Sequence, residues 1–361
     1  MTRLLYFSRE YTVHDHRFLN TLVKSNYQIF YLCLERKQHV LEERDLPDGV
    51  EKIDWAGGRR PFRWIHFPGL LADIQRVLDR VKPSLVLAGP LQTAALLVAL
   101  SGYQPLISMS WGYDLLIDSE RSSFWRWATR YVLSKSAAML GDCDTIRKKA
   151  ISYGMADERI VTFPWGIDLQ QFSPNNTKPE RETFALLSTR SWESIYGVDV
   201  LAQAFALAAC QQPCLRLTML GNGSMKNRVL QIFKKAGVLD LVDFPGQISQ
   251  IDLPCFYQKA ALYICASHSD GTSISLLEAL ASGCPVIVSD IPGNREWITP
   301  GVNGWLFPDG DAQAMAQLIL HAFENRQKLA EMSISARCVA EQRADWNRNF
   351  PQIFKLFQIV L

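Results

Sequence analysis

Short, fully apolar segments alternate with amphipathic segments along the chain, and this alternation restricts the fold more than any other feature. A strand without a polar face must be covered on both sides, which is typical of a parallel sheet with helices on both of its faces. In the first half of the chain the apolar segments are residues 4–8, 27–34, 84–89, 105–110 and 137–142. The sequence therefore predicts a doubly wound α/β fold.

The alternation is interrupted once and then restarts. Residues 158–183 are rich in Pro, Asn and Thr and show no sustained periodicity, which indicates a linker. Because 361 residues also exceed a single core of ordinary size, we expect two domains. We predict Rossmann-like domains over residues 1–165 and 166–343 that face a central cleft, with ligands at the carboxyl ends of the strands.

The last segment, residues 344–361, carries apolar side chains at helical spacing, among them Ile353, Phe354 and Phe357. A short helix beyond a complete domain needs a surface to cover. We therefore expect this helix to cross back and pack on the N-terminal domain.

The composition argues against several classes of protein. Hydrophobic residues make up 48% and charged residues 20% of a chain with a net charge of +2, so nothing favours nucleic acid as a partner. The eight cysteines form no C-x-x-C pair, and Cys210 and Cys214 have no histidine nearby. We therefore expect free thiols in a reducing compartment, and neither a metal site nor a disulfide framework.

Two features bear on the location of the chain. The N-terminal residues run straight into charges and lack the cleavage site of a signal peptide. The uncharged stretch between Lys82 and Asp114 is long enough to span a bilayer, but prolines and glycines divide it into short pieces. We expect a cytoplasmic protein without a membrane span.

Residues 267–283, SHSDGTSISLLEALASG, place one carboxylate on each side of a predicted helix start. Asp270 lies on a loop at the carboxyl end of an apolar segment, and Glu278 lies about one turn inside the helix that follows. The first-turn amides of such a helix have no partner within it, and they form an anion site suited to phosphate.

The residues around this helix start fit such a site. Gly271 lets a ligand approach the backbone closely. Suitable N-cap or first-turn residues are Thr272, Ser273 and Ser275.

The order of these groups matches the order of groups in a nucleotide-sugar. A carboxylate at Glu278 can accept two hydrogen bonds from the vicinal diol of a ribose, and Asp270 can hold hydroxyls of a second sugar beyond the diphosphate. The alternative is an ordinary capped helix, in which Asp270 is a turn residue and Glu278 pairs with a lysine. A carboxylate within the apolar run LLEAL is costly unless it is paired.

The stretch SDGTSISLLEALASGCPVIVSDIPGNREWITPGVNGWLF also resembles the acid–x7–acid region of the retaining glycosyltransferase family 4, which has the GT-B fold. The resemblance is strong in the second half of the chain and weaker, though continuous, in the first. It extends over IVTFPWGIDLQQFSP, LSTRSWESIYGVDVLAQAFA, LGNGSMKNRVL and VDFPGQIS.

The resemblance implies a retaining transfer of a hexose-type sugar from a nucleoside diphosphate donor, without a metal or another cofactor. The donor would bind the C-terminal domain, and a glycan or lipid-linked acceptor would bind the N-terminal domain, in cell-envelope polysaccharide or glycolipid synthesis. Asp270 would bind the transferred sugar, Arg190 would neutralise the leaving diphosphate, and Glu278 would bind the ribose. The other donor-side positions would be Gly271, the backbone amides of Thr272, Ser273 and Ile274, and Gly221, Gly223, Lys226 and Tyr196.

The chain departs from the family pattern at three positions. The first acid is Asp270 instead of glutamate, Tyr196 stands where a lysine is usual, and Trp111 of SWGYD stands where a histidine is common. Lys226 or Arg228 is a candidate for the missing positive charge. A related subgroup shares the SWGxD and YG patterns, so we interpret the departures as variation and not as loss of activity.

The acceptor-side candidates lie in the first half of the chain. The segment REYTVHDHRFL follows the first strand and brings His14 and His16 to the predicted cleft. Candidates for contact with the acceptor are His16, Arg17 and Asp15, together with Trp111 and Asp114. A simple capping loop is the alternative, with Asp15 as the N-cap of the following helix.

Two segments, 58–67 and 121–133, interleave arginines with aromatic residues. Such surfaces suit the interface of an anionic membrane, which predicts peripheral contact of the N-terminal domain with the inner face of the cytoplasmic membrane. The other interpretation places the aromatic rings in the core, with the arginines extending to its edge.

Two rival functions stay open at this point. The chain could be a non-catalytic partner that binds the donor. The departures at Tyr196 and Trp111 are consistent with this alternative. It could also be a nucleotide-sugar epimerase or hydrolase of the same fold, which would need acid and base groups at the sugar carbon.

Overall fold

The structure is a computed structural model, and it describes residues 2–35, 44–59, 61–174 and 183–361. Residues 175–182 of the predicted linker and Arg60 of the segment 58–67 lie outside the described residues. The chain divides into two compact units. The first consists of Met1–Phe163 with Pro351–Leu361, and the second consists of Pro164–Phe350.

A parallel sheet forms the centre of the first unit. Its strands are β1 (Thr2–Ser8), β2 (Tyr27–Cys33), β3 (Val50–Lys52), β4 (Leu85–Gly89), β5 (Leu106–Met109), β6 (Ala138–Gly141) and β7 (Ile160–Thr162). They lie in the order β3-β2-β1-β4-β5-β6-β7, and residues 4–8 of β1 and all residues of β4 are buried. Helices cover both faces of the sheet, so its central strands need no polar face, and this explains the apolar runs in the sequence.

The helices of the first unit are α1 (Val13–Leu22), α2 (Phe67–Val81), α3 (Leu96–Leu100), α4 (Tyr113–Leu116), α5 (Ser123–Lys135) and α6 (Asp144–Ser152). Helix α1 starts with a capping box, in which the amide of Thr12 donates to the Asp15 carboxylate at 2.8 Å and the amide of Asp15 donates to Thr12 Oγ1 at 3.3 Å. The predicted N-cap role of Asp15 is therefore wrong, because Thr12 caps the helix and Asp15 is its third residue.

A second parallel sheet forms the centre of the second unit. Its strands are β8 (Phe184–Ser188), β9 (Leu215–Leu220), β10 (Val242–Gly246), β11 (Leu262–Cys265), β12 (Val286–Ser289) and β13 (Gly304–Phe307). They lie in the order β10-β9-β8-β11-β12-β13. The surrounding helices are α7 (Val198–Ala209), α8 (Lys226–Ala236), α9 (Leu253–Lys259), α10 (Ile274–Ala281), α11 (Pro292–Arg295), α12 (Ala312–Glu324), α13 (Leu329–Arg343) and α14 (Trp346–Asn349). These two sheets confirm the predicted α/β class with two Rossmann-like domains.

The C-terminal segment returns to the first unit. Helix α15 (Gln352–Val360) contacts β6 and β7, and it buries Ile353, Leu356 and Phe357. Its Phe357 ring lies 5.3 Å from the ring of Tyr27. The single predicted helix over residues 344–361 is in fact two helices, because Pro351 separates α14 from α15.

The sequence reading missed three short strands, β3, β7 and β13. Strand β7 lies inside the predicted linker, and β3 carries two exposed charged residues among its three. Periodicity carries little information over three or four residues. Among the described residues, no helix has both the length and the apolar character that crossing a membrane requires.

Arg337 of α13 fixes the end of helix α10 to the segment that precedes the second sheet. Its Nη1 donates to the carbonyl oxygens of Ala281 at 2.7 Å and Phe172 at 2.8 Å. Ala281 is the last residue of α10, where carbonyl groups have no partner within the helix. Arg337 therefore contributes to holding α10 in place.

We expect the substitution Arg337→Met to lower the free energy of unfolding by about 2 kcal/mol, because it leaves carbonyl groups without a charged donor. Urea denaturation followed by tryptophan fluorescence measures the change. Lys328 is exposed, and its side-chain ammonium group has no hydrogen-bond partner among the described residues, so Lys328→Met is the matched control. Equal stability of the two variants would contradict the role of Arg337.

Candidate active site in the second unit

The candidate site lies where the order of the second sheet reverses. Strands β8 and β11 are neighbours at the centre of this sheet, and the strands that follow them lie on opposite sides. Ligands of open α/β sheets bind outside the carboxyl ends of the strands at such a point. Arg190 follows the end of β8 by two residues, and both Asp270 and helix α10 follow the end of β11.

Arg190 is the residue that joins these elements. Its Nη2 donates to Asp270 Oδ2 at 2.8 Å, and its Nη1 donates to Ser273 Oγ at 3.1 Å and to Ser275 Oγ at 3.2 Å. The Arg190 side chain is 14% exposed and that of Asp270 is 20% exposed. The two predicted catalytic residues therefore form a largely buried ion pair at the N-terminus of α10.

Tyr196, at the position where the resemblance leads us to expect a lysine, stacks against this arginine. The Arg190 guanidinium carbon lies 3.9 Å from the centre of the Tyr196 ring, which is well within the range of a cation–π interaction. Gly197 ends the turn that carries Tyr196 with φ of +56°, and a Cβ atom at Gly197 would lie 2.0 Å from the carbonyl oxygen of Ala266. The glycine therefore lets the tyrosine turn pack directly against the end of β11.

The surroundings keep Arg190 charged. Burial by itself lowers the pKa of Arg190, whereas the Asp270 carboxylate raises it, with smaller contributions from Cys265, Tyr196 and Tyr263. The raising contributions prevail, so the pKa lies above its ordinary value. The Nε atom of Arg190 is buried and has no hydrogen-bond partner among the described residues. A donor in this state is costly until an acceptor reaches it.

Glu278 is buried in α10, about one turn beyond the serines. Its carboxylate accepts hydrogen bonds from Gln250 Nε2 at 2.9 Å and from the Tyr257 hydroxyl at 3.0 Å, and the residue is 4% exposed. The Tyr257 hydroxyl also lies 3.0 Å from Thr189 Oγ1, beside Arg190. Burial and the Glu278 carboxylate raise the pKa of Tyr257 well above its ordinary value. One tyrosine hydroxyl thus connects the second predicted acid with the end of β8.

The first turn of α10 differs in one detail from the prediction. Ser273 is the N-cap residue by backbone geometry, but its side chain makes no capping hydrogen bond. Its hydroxyl instead lies 3.1 Å from that of Ser275, and both receive Arg190. The amides of Ser273 and Ile274 meet no acceptor among the described residues. Thr272 and Gly271 are buried just before this turn.

Close backbone packing holds the loop of Asp270 in place. A Cβ atom at Gly293, in the short helix α11, would lie 2.2 Å from the carbonyl oxygen of Gly271 and 2.6 Å from that of Asp270. Only glycine allows α11 to approach so closely. We therefore expect the loop to have little freedom on this side.

The glycine turn after β9 lies beside the backbone of Arg190. Gly221 has φ of +88°, and a Cβ atom there would lie 3.2 Å from the carbonyl oxygen of Arg190. A Cβ atom at Gly223 would lie 2.4 Å from the carbonyl oxygen of Trp192. Lys226 is exposed at the start of α8, whereas Arg228 pairs with Asp199 at 2.9 Å. Within the described residues, no ion pair or hydrogen bond brings Lys226 to Arg190 or Asp270.

The acceptor-side candidates lie at the carboxyl edge of the first sheet. His16 Nδ1 lies 2.8 Å from the Tyr11 hydroxyl, and burial and Arg44 lower the pKa of His16. The Trp111 ring lies 6.0 Å from the ring of His14. Burial and the charge of Arg17 lower the pKa of His14 to about 4. His14, which the sequence places after the first strand together with His16, therefore lies beside Trp111.

Asp114 lies inside its own loop. It is 4% exposed and accepts hydrogen bonds from the amides of Leu91 and Trp111 at 3.0 Å and from the Ser110 hydroxyl at 2.8 Å. Burial raises its pKa to about 6, against the effect of these hydrogen bonds. These contacts indicate that Asp114 orders the Trp111 loop, and the proposed contact with an acceptor stays a prediction.

Sequence reasoning did not select four residues that shape the site in the second unit, namely Ser275 as a partner of Arg190, and Gln250, Tyr257 and Tyr263. The tyrosines sit in apolar runs that read as core, and they are fully buried. A buried tyrosine hydroxyl needs a partner, which is the signal that could have directed attention to them. The Tyr263 hydroxyl donates to Ser275 Oγ at 2.9 Å. The described residues hold no cluster of three or more His, Cys, Asp and Glu that could bind a metal ion.

Comparisons with known proteins find similarity to glycosyltransferases in both halves of the chain. The model described as Glycosyltransferase Family 4 matches residues 12–171, and the model described as Glycosyl transferases group 1 matches residues 170–338. The amylovoran biosynthesis glycosyltransferase AmsK of Erwinia amylovora is 24% identical over 216 residues, which are 58% of this chain and 53% of that protein. The chain thus spans about half the length of this curated relative.

Two solved structures share the fold over nearly the whole chain. Sucrose-phosphate synthase of Thermosynechococcus elongatus has a TM-score of 0.82 at 15% identity and covers 99% of this chain and 98% of its own. Anabaena HepE in complex with UDP-glucose has a TM-score of 0.80 at 19% identity and covers 99% of this chain and 100% of its own. The two family models match the chain in succession from residue 12 to residue 338, and together with the shared GT-B fold they show that this chain is similar to the family 4 glycosyltransferases.

Proposed function

We propose that this protein transfers a sugar from a nucleoside diphosphate donor to a glycan or lipid-linked acceptor, with retention of configuration and without a metal ion. The observation that carries the proposal is the position of Arg190. Its buried charge lies at the N-terminus of α10, beside Asp270 and the amides of Ser273 and Ile274, which meet no acceptor in the described part of the chain. Positive charge and helix amides together form a site for the phosphates of a donor.

The donor would lie along α10. The amides of the first turn and Arg190 bind the diphosphate, Asp270 binds hydroxyls of the transferred sugar, and Glu278 binds the ribose diol. The pairing of Glu278 with Gln250 and Tyr257 orients its carboxylate before the donor arrives. HepE, which has the same fold, was solved in complex with UDP and with UDP-glucose. This supports a UDP-sugar as the first donor to test.

The transfer breaks the bond between the anomeric carbon and the phosphate oxygen, and the acceptor oxygen forms its bond on the same face of the sugar. The departing phosphate oxygen takes the proton of the acceptor hydroxyl, so no protein nucleophile is required. Negative charge then grows on the diphosphate. Arg190 stabilises this charge from a fixed position, which is the most effective form of electrostatic catalysis.

Binding of UDP-, GDP- and ADP-glucose should separate the donor from the other nucleotides. A ligand at a hundred times its dissociation constant stabilises the fold by roughly 2.7 kcal/mol, which thermal unfolding detects. We expect Glu278→Gln to bind the donor at least about tenfold more weakly, because the amide cannot accept both hydroxyl protons of the ribose. Equal stabilisation of Glu278→Gln and wild type would contradict the ribose assignment. The exposed Glu331→Gln in α13 is the matched control.

We expect Arg190→Met to lower kcat for transfer by a factor of about 10² to 10³. Loss of one preorganised hydrogen-bond donor to a developing negative charge has an effect of this size in other enzymes. Release of UDP from a UDP-sugar measures the rate of transfer. NMR of the glycosylated product then gives the configuration of the new anomeric centre. Inversion at the anomeric carbon would contradict the retaining mechanism. Donor binding by the wild type without any turnover would instead support a non-catalytic partner.

Tyr196 acts through Arg190 as a positioning residue. Loss of its ring in Tyr196→Leu should lower kcat by about tenfold, within the value of a buried cation–π contact, with a smaller change in KM for the donor. Tyr196→Phe keeps the ring and should restore most of the rate, because the ring face is the part of Tyr196 that lies over the Arg190 guanidinium. If Leu and Phe had the same kcat, the stack would have no role in turnover.

A further inference from the structure

The first unit carries an exposed aromatic surface that the transfer site does not explain. We define this aromatic surface as Phe62, Trp64, Ile65, Phe67, Phe124, Trp127 and Tyr131. Its most exposed members are Ile65 at 80%, Trp127 at 48%, Phe124 at 47% and Trp64 at 40%. Large apolar side chains that are exposed together, and not singly, mark a surface that binds something.

The rings form one continuous surface across two elements. On helix α5, Phe124 and Trp127 lie 5.8 Å apart by ring centres, and Trp127 and Tyr131 lie 5.4 Å apart. Trp64, just before helix α2, lies 5.4 Å from Phe124. The spacing of three and four residues places the α5 rings on one face of the helix. The opposite face of α5 is buried through Ala128, Thr129, Val132 and Leu133. One interpretation of the sequence placed these aromatic rings in the core. For Trp64, Phe124 and Trp127 that interpretation is wrong, because all three side chains are exposed.

Positive charge surrounds this surface. Residues 121–135 contain Arg121, Arg126, Arg130 and Lys135, all of them exposed, and no acidic residue. The exposed Arg63 lies next to Trp64 on the other element. The two preceding acids are already engaged, since Asp118 faces Arg121 at 4.0 Å and Glu120 pairs with Lys149.

We propose that the aromatic surface binds a lipid bilayer that carries anionic headgroups. Tryptophan and tyrosine rings are favoured at the level of the headgroups, and arginines at their edge bind lipid phosphates. Ile65, the most exposed member, would reach the boundary of the acyl chains. An amphipathic element with aromatic residues on one side and basic residues beside them lies in the plane of the interface and does not cross it.

The charges favour a bilayer over a second copy of this chain. A twofold interface through the same surface would place each set of arginines against the identical set of the other copy. Like charges brought together in this way oppose association. An anionic bilayer, in contrast, supplies the opposite charge over the whole surface.

Sedimentation of the full chain with vesicles tests the proposal. We expect binding to vesicles of phosphatidylcholine and phosphatidylglycerol at a ratio of about 7:3, weak binding to phosphatidylcholine alone, and release by 1 M salt, where screening shortens the Debye length to about 3 Å. The double variant Arg126→Gln/Arg130→Gln should bind about 30-fold more weakly, as expected for the loss of two surface charges. Trp127→Ser should bind about tenfold more weakly, because less apolar surface enters the interface.

Ile334→Ser in the second unit is the matched control, because Ile334 is 73% exposed outside the aromatic surface and its loss should leave vesicle binding unchanged. Thermal unfolding shows whether each variant is folded, and the arginine variant alters only exposed side chains. Absence of binding to anionic vesicles, or equal binding to neutral vesicles, would overturn the proposal. Dimers in sedimentation velocity that Trp127→Ser dissociates, without vesicle binding, would assign the surface to a protein partner and also overturn it.

Discussion

The buried charge of Arg190 is the constraint on which the rest of the site depends. Taking a guanidinium group out of water costs several kcal/mol unless a partner compensates for it. Asp270 supplies the opposite charge, two serine hydroxyls of the α10 start supply acceptors, and the Tyr196 ring covers the face of the group. Asp270 and the serines follow β11, whereas Arg190 and Tyr196 follow β8, so the pairing of these two strands brings the groups together. The Nε atom of Arg190 is buried as well, and it has no hydrogen-bond partner among the described residues.

The parallel sheet explains why these groups converge. Strands β8 and β11 are neighbours at the point where the strand order reverses, so the loops that follow them meet at the same edge of the sheet. Glycine then sets how closely the surrounding loops can approach. Gly197 lets the Tyr196 turn meet the end of β11, and Gly293 lets α11 press on the loop of Asp270. Tyr196, at the position where the resemblance predicts a lysine, is therefore compatible with an ordered arginine, since it contributes a ring face instead of a second charge.

The sequence was sufficient for the fold class and for the positions of the two acids, because both follow from local patterns. Fully apolar runs predicted the parallel sheets, and the spacing of Asp270 and Glu278 placed one on a loop and one inside a helix, as the structure shows. Contacts between distant residues could not be read in this way. Gln250 and Tyr257 reach Glu278 from 28 and 21 residues away, and Tyr196 meets Arg190 only because a glycine turn folds back. Short strands such as β7 were missed because three residues carry no periodicity, and Asp15 was misplaced because the true cap lies three residues earlier.

A double-mutant cycle between Arg190 and Tyr196 tests the central claim most directly, with the affinity for the preferred nucleoside diphosphate measured by titration calorimetry. Removing the tyrosine ring should weaken binding when Arg190 is present and change little when Arg190→Met has removed the group that the ring positions. The account predicts a coupling free energy of about 0.5 to 2 kcal/mol, the range of a partly to fully buried cation–π contact. Additive effects, with a coupling free energy near zero, would show that the two residues act separately and would contradict the account.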